Sequence, residues 1–249
     1  MPVNHLEAAE AESAAAWGDE KRAYVRRIFS EIAPRYDLLN RVLSFSVDRR
    51  WRRRAIAALD WARRPEGRYL DLCAGTLDVS AQLARTPGFR GSVVGADFAE
   101  PMLRAGAGKA PAGTVRPVVA DALDLPLAAN SMAGAIVAFG IRNLADLDAG
   151  LREVLRVLEP GGRFVILEFS TPRSAVVRGA YHAYFHHVLP LVGQLVSGHG
   201  TAYRYLPRSV ASFPSERALA ARMERAGFTG VTWRTLTFGV AALHVGVKA

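Results

Sequence analysis

The chain has 249 residues, 50% of them hydrophobic and 22% charged, with 32 basic and 23 acidic side chains for a net charge of +9. That apolar share offsets the ordering entropy over most of the length and excludes a disordered protein. The single cysteine, Cys73, excludes an internal disulfide and a thiolate-rich zinc site, and reads as a small buried residue.

Residues 1–19 are rich in alanine and glutamate, lack a core pattern and are expected to form a flexible acidic tail. The rest, 20–249, is expected to be a single domain with three parts: a helical cap over 20–62, a β-α core over 63–170, and helices with closing strands over 171–249. From Glu20 to Leu59 the pattern is helical, with a break at Pro34. Val25, Ile28 and Ile32 share one apolar face with Phe29 beside them, and Ile56 and Leu59 fit another. Arg49, Arg50, Arg52, Arg53 and Arg54 surround Trp51, a pattern that suits anionic lipid, nucleic acid or a solvated helix face.

From Arg68 the period changes. Short strands are expected at 69–72, Ser92–Ala96, Val115–Val119, Gly134–Phe139 and Arg163–Phe169. Between them come helices from about Asp78, near Pro101–Gly108 and over Leu147–Leu158, the last stopped by Pro160-Gly161-Gly162. This alternation implies a parallel sheet covered by helices on both faces. An apolar helical stretch over Ala175–Val196, kinked at Pro190, follows. A helix near Glu216–Ala226 and a closing hairpin of strands around Val231–Leu236 and Val240–Val247 complete the chain.

In such a sheet, ligands bind at the carboxyl ends of the strands. The loop from Asp71 to Asp78 has a glycine turn at Gly75 but lacks the G-x-G-x-x-G spacing of a dinucleotide site. Asp71 and Asp78 place negative charge near it, which disfavours a pyrophosphate and favours a ligand with a cationic part. S-adenosylmethionine, with a sulfonium, an ammonium and no phosphate, fits that description. Asp97 ends the second strand, where a carboxylate suits ribose hydroxyls. Asp121 and Ala122 end the third, where they suit an adenine.

Several stretches resemble one family. These are Ile28-Phe29-Ser30, Ile32 through Asp37, Leu43-Ser44-Phe45, Trp51-Arg52 and Phe139-Gly140-Ile141-Arg142-Asn143. Further along come Arg156 through Gly162, Leu167-Glu168-Phe169-Ser170, Tyr181 and Tyr184, His187 through Pro190, Tyr203 through Leu206, Ala226-Gly227-Phe228 and Leu243-His244. On these motifs the chain resembles class I S-adenosylmethionine methyltransferases, and more narrowly the ubiquinone/menaquinone biosynthesis C-methyltransferases. The resemblance implies an α/β Rossmann-like fold. Its sheet would be seven-stranded and mostly parallel, with a C-terminal antiparallel hairpin and helices on both faces. It implies methyl transfer from S-adenosylmethionine to a ring carbon of a prenylated quinol, most simply demethylmenaquinol to menaquinol. It also implies cofactor contacts from Thr76, Asp97, Asp121 and Ala122, beside Asp71 and Gly75. Ala138 stands where some members have serine. Leu77 stands where the family carries glycine, and is strained if that position needs a positive φ.

Carbon methylation needs an electron-rich ring, so the reduced quinol and its phenolate are the expected nucleophile. Arg142 is the candidate for stabilising the phenolate, although an Arg in a structural ion pair is the competing possibility. His187 is a candidate base, Tyr36 and Asp37 are expected to fold over the pocket, and Tyr203 and Tyr205 are candidates for lining the ring site. No metal is expected, since His182 and His186 lack the intervening Glu of a zinc motif and an evident third ligand. The stretch 175–196 and the Trp51/arginine cluster are the features expected to touch lipid. A cytoplasmic protein, peripheral on the inner face of an anionic membrane, is expected, with no nucleic-acid partner and a homodimer as the simplest assembly. Three alternatives stay open: methylation of RNA through phosphate contacts from the basic segment, methylation of another phenolic or lipid substrate, or a non-catalytic role in a quinone-synthesis complex.

Overall fold

Short apolar runs separated by turns and helices build the sheet. The strands are β1 Arg68–Leu72, β2 Ser92–Asp97, β3 Val115–Val119, β4 Met132–Ala138, β5 Leu158–Phe169, β6 Phe228–Leu236 and β7 Ala241–Lys248. The computed structural model describes residues 19–38, 46–184 and 201–249. The strands form one sheet in the order β3-β2-β1-β4-β5-β7-β6. β1 to β5 are parallel, and β7 pairs antiparallel with both β5 and β6. The sheet is therefore the expected mostly parallel one with an antiparallel closing pair. Its order reverses between β1 and β4, so the carboxyl ends of those strands flank a crevice.

The described helices are α1 Asp19–Ile32, α2 Asp48–Ala58, α3 Asp78–Ala84, α4 Glu100–Ala105, α5 Leu147–Val157, α6 Ala175–Ala183, α7 Thr201–Ala211 and α8 Glu216–Ala226. Alternate residues of β1 serve opposite faces. Leu70 and Leu72 pack with Leu151 and Val154 of α5 and Met223 of α8. Tyr69 packs with Trp51 and Ala55 of α2 and Leu83 of α3. Burying each such side chain contributes about 1.5–3 kcal/mol. The apolar face expected on α1 is real: Val25, Ile28 and Ile32 are buried with Tyr24 and Tyr205.

Three sequence expectations change. The break at Pro160 does not delay β5, because Leu158 already pairs with Met132 and the register shift before Gly134 absorbs the Pro-Gly-Gly segment. Helix α7 was not anticipated, since Pro207 lies inside it and obscures the helical pattern. Trp51 does not face lipid. It is buried, its ring lies 6.0 Å from Phe139 and 6.4 Å from Phe169, and its indole N–H donates to Thr237 Oγ1 at 2.8 Å. Of the arginines around it, Arg52 is buried while Arg49, Arg50, Arg53 and Arg54 are exposed. The kink at Pro190, the motif Leu43-Ser44-Phe45 and nearly all the acidic tail lie outside the described residues.

Candidate functional site

The loop between β1 and α3 turns sharply, with φ of 52° at Cys73, 52° at Gly75 and 61° at Leu77. Only Gly75 adopts such a value without strain. Asp97 at the end of β2 holds the turn in place. Its Oδ2 accepts the Gly75 N–H at 2.8 Å and its Oδ1 the Ala99 N–H at 2.9 Å. Burial pushes the Asp97 carboxyl up, against the pull of those N–H groups. Gly140, after β4, is required by packing, since a Cβ there would stand 2.3 Å from the Cys73 Cβ. Cys73 packs against the core of Leu70 and Leu72, as a small buried residue would, and its half-exposed side also lines the crevice beside Asp97. Burial, with the carboxylate of Asp97 next, pushes its thiol well above the ordinary range, so it is not a poised nucleophile.

Leu77 meets the condition for strain. It is left-handed and also buried, against the open side of Gly95 and Gly106. Leu77→Gly would relieve about 1–2 kcal/mol of backbone strain but lose a packed side chain that contributes about 2–5 kcal/mol. Packing wins, so the variant is expected to be less stable by about 1–3 kcal/mol, read as a lower urea midpoint. A raised midpoint would show that strain dominates.

The crevice is lined by Asp97, Phe98, Asp121, Ala122, Asn143 and Arg22, among others, and holds only about 30 Å³, room for about one or two waters. The reason is the amino-terminal segment. Arg22 of α1 reaches across to Asp121 at 2.5 Å, while Asp121 Oδ1 also accepts the Leu123 N–H at 2.9 Å. Thr76 Oγ1 donates to Asp37 Oδ1 at 2.6 Å. Asp37 in turn pairs with Lys109, which bonds Asp78 at 2.7 Å, and Asp78 pairs with Arg52 at 2.7 Å. The Tyr36 ring lies over the loop, 4.0 Å from where a Gly75 Cβ would stand. Tyr36 and Asp37 therefore fold over the pocket as expected. Arg22 and Lys109 were missed, because an arginine on an amphipathic helix and a lysine in a turn carry no distinguishing pattern.

Two expected acids do not face the crevice. Asp71 is turned inward, accepting the Ser80 N–H at 2.9 Å and the Ser80 hydroxyl at 2.6 Å. Burial raises its carboxyl to about 7 despite those bonds. It positions the start of α3 rather than a ligand. Burial also opposes charge on Asp78, but Arg52 and Lys109 outweigh it and hold the group below the usual carboxylate range. The negative field inferred from these two residues is thus cancelled, and what remains at the crevice comes from Asp97 and Asp121. Ala138 packs toward the Trp51 side of the sheet and is not among the residues lining the crevice.

Arg142, in the turn after β4, is buried. Its guanidinium pairs with Glu168 at 2.8 Å, donates to the Phe139 carbonyl and to Ser209 Oγ at 3.3 Å, and stacks over Phe169 at 5.6 Å. This is the structural ion pair weighed above, and it places Arg142 behind the crevice wall. Lys21 Nζ donates to the Arg142 carbonyl at 2.7 Å. Burial, with the Arg142 charge next, lowers Lys21 to about 8. Tyr205 donates to Asn143 Oδ1 at 3.1 Å, beside the crevice. His186 and His187 lie outside the described residues, as do the side chains of His182 and Tyr203. Among the described residues, no group of three or more His, Cys, Asp or Glu could hold a metal ion, and no helix is long and apolar enough to cross a membrane.

Polar groups suited to a nucleoside are present: the carboxylates of Asp97 and Asp121 at adjacent strand ends, and a glycine turn without a Cβ. Among the described residues, Arg22 on Asp121 and Asp37 on Thr76 bring segment 19–38 across them. Arg22→Ala is therefore expected to tighten S-adenosylmethionine binding about two- to fivefold, the yield of one partly exposed ion pair, as measured by calorimetry. Weaker binding would mean that Arg22 serves the ligand instead.

Residues 17–248 match the ubiE/COQ5 methyltransferase family. A demethylmenaquinone methyltransferase of Thermus thermophilus is 52% identical over 223 residues, covering 88% of this chain and 99% of that protein. A ubiquinone/menaquinone biosynthesis C-methyltransferase of Geobacter sulfurreducens is 46% identical over 233 residues, covering 92% and 90%. Among solved structures, a SAM-dependent methyltransferase of Thermotoga maritima aligns with a TM-score of 0.59 at 18% identity, covering 90% of this chain and 99% of that one. That last likeness concerns the fold alone.

Proposed function

The chain belongs to the ubiE/COQ5 methyltransferase family, and from that premise we propose that it transfers a methyl group from S-adenosylmethionine to a ring carbon of a reduced prenylated quinone, demethylmenaquinol first. The observation that carries this reading is the 52% identity to a demethylmenaquinone methyltransferase over 99% of that protein's length. S-adenosylmethionine supplies an electrophilic methyl on a sulfonium. We assign Asp97 to the ribose hydroxyls, Asp121 and Ala122 to the adenine edge, and Gly75 and Thr76 to the methionine portion. Each pairing sets an acceptor or N–H at a strand end against the matching part of the ligand. Arg22 and Asp37 yield their contacts as it enters.

On the ring side the chemistry balances simply. A phenolic proton leaves, the ring carbon forms the new C–C bond as the methyl C–S bond breaks, and the ring proton departs to restore aromaticity. Positive charge near the ring favours the phenolate. Arg142, whose guanidinium is paired with Glu168, braces the wall behind the ring site rather than supplying that charge, and Tyr36 closes the site from above. Most of the acceleration is then orientation and charge stabilisation. A prenyl tail holds the substrate in a bilayer, so peripheral membrane contact belongs to the same proposal.

The test is incubation with S-adenosylmethionine and demethylmenaquinol kept reduced by dithionite, with oxidised quinone in parallel. Methylated product is expected only from the reduced ring. Absence of product and of S-adenosylhomocysteine with both naphthoquinols and benzoquinols would overturn the proposal, and methylation of a simple phenol alone would redirect it.

A further inference from the structure

We infer that the turn between β6 and β7 docks the protein on an anionic lipid surface, with Phe238 as the inserted group. The inference rests on the quinol reading, since only a membrane-held substrate calls for it. Thr237 and Phe238 are consecutive non-glycine residues with φ of 46° and 56°, a conformation that L-residues avoid. The turn is braced into it. Thr237 Oγ1 accepts the Trp51 indole N–H, Thr237 O accepts the Val240 N–H at 3.1 Å, and Gly239 abuts Pro172, where a Cβ would stand 3.2 Å from the Pro172 Cα. All this bracing presents the Phe238 ring to solvent, 84% exposed. Val176, on the helix that follows Pro172, is also 84% exposed. A rigid turn carrying an exposed aromatic loses little freedom on insertion, so nearly all the apolar burial goes into binding.

Charge identifies the surface. Residues 169–215 contain no Asp or Glu and four arginines: Arg173, Arg178, Arg204 and Arg208. Arg173, exposed beside Gly239 of the turn, pairs with Glu216 at 3.7 Å and stacks over Trp233, and the exposed Arg178 bonds the Arg173 carbonyl at 3.3 Å. Trp51, which bonds the turn, stands in α2 between the exposed Arg50 and Arg54. The acids of this corner are covered: Asp48 and Glu216 are both buried. An apolar prong within a basic collar matches an anionic headgroup layer over a hydrocarbon interior. The aromatic cluster of Trp51, Phe139 and Phe169 leads from the turn to the guanidinium of Arg142. A quinol ring entering here would leave its tail in the bilayer.

The full chain is floated with vesicles of phosphatidylcholine alone, and of equal parts phosphatidylcholine and phosphatidylglycerol. Binding is expected only to the second. Phe238→Ser should lower the partition coefficient about tenfold, Phe238→Leu should keep it, and the double variant Arg50→Glu/Arg54→Glu should reduce it further at low salt. Methylation of a short-tailed, water-soluble quinol should be unchanged in Phe238→Ser. Equal partitioning of wild type and Phe238→Ser would overturn the inference. So would concentration-dependent self-association of the wild type, by light scattering, that Phe238→Ser abolishes, since the covering partner would then be a second copy. Loss of short-quinol methylation in the wild type would instead sink the catalytic reading and leave the docking result standing.

Discussion

Asp97→Ala will eliminate measurable S-adenosylmethionine binding in a calorimetric titration and lower the melting temperature of the free protein. One carboxylate does two tasks. It accepts the Gly75 and Ala99 N–H groups, and it is the acceptor we assign to the ribose. Without it, the buried Ala99 N–H loses its partner, at about 1–3 kcal/mol, the part-buried Gly75 N–H loses less, and the glycine turn loses its tether to β2. The ligand loses charge-assisted bonds of about 1.5–3 kcal/mol each. Affinity should therefore fall by roughly a hundredfold or more. Asp97→Asn separates the tasks. The amide oxygen keeps one backbone bond, so stability should recover further than affinity. Unchanged affinity in a folded Asp97→Ala variant would remove Asp97 from the ligand site.

The second large effect is structural. Glu168→Ala will strand the buried Arg142 guanidinium, which among the described residues then keeps the Phe139 carbonyl, the Ser209 hydroxyl and the Phe169 ring. Removing one partner of a buried pair costs about 3–5 kcal/mol, a large part of the about 5–15 kcal/mol that holds a domain together. Chemical denaturation should show that loss, with methyl transfer falling in parallel. The pH dependence follows from Glu168 itself. Burial raises its carboxyl, and Arg142 only partly offsets this. A group raised in the folded state contributes stability that is present below its unfolded value and lost as pH climbs through the folded one. Wild type should thus lose stability as pH rises from the ordinary glutamate range through the raised value, and Glu168→Gln should flatten that slope. A steeper slope in Glu168→Gln would mean that the attraction to Arg142 outweighs burial.

The sheet was legible because its central strands are buried on both faces. β1, β2 and β4 read as apolar runs, with Asp71 near the end of the first and Asp97 at the end of the second, and the glycine turn marks the crevice; β3, at the edge and half-exposed, was legible only from its valines before Asp121. What period and spacing do not carry is the direction of a polar side chain. Asp71 and Asp97 look alike as strand-end acids. One turns into the first turn of α3 because Ser80 offers both an N–H and a hydroxyl, and the other turns out toward Gly75. Arg142 and Glu168 are 26 residues apart and meet only because β4 and β5 pair. Trp51 among arginines read as a lipid contact, yet helix rotation sends Trp51 inward to Thr237 and its neighbours outward. Leu77 was the most useful anomaly. Its mismatch with the family glycine pointed to a left-handed position, and the structure adds the Gly95 and Gly106 hollow that makes leucine worth keeping there.

Arg22 pairs with Asp121 and Thr76 bonds Asp37, and on the proposed reading this bears on how a catalytic cycle ends. The spent cofactor keeps its adenine, ribose and carboxylate, so groups that grip the incoming molecule grip the outgoing one as well. An enzyme built only for tight capture would be slowed by its own product. Here the departing ligand has an intramolecular rival, tethered at high effective concentration to the acceptors it must vacate. On the proposed reading, the amino-terminal segment works as an ejector. Some affinity is surrendered on entry so that turnover is not limited by exit, and the balance is set by residues that never touch the reacting carbon.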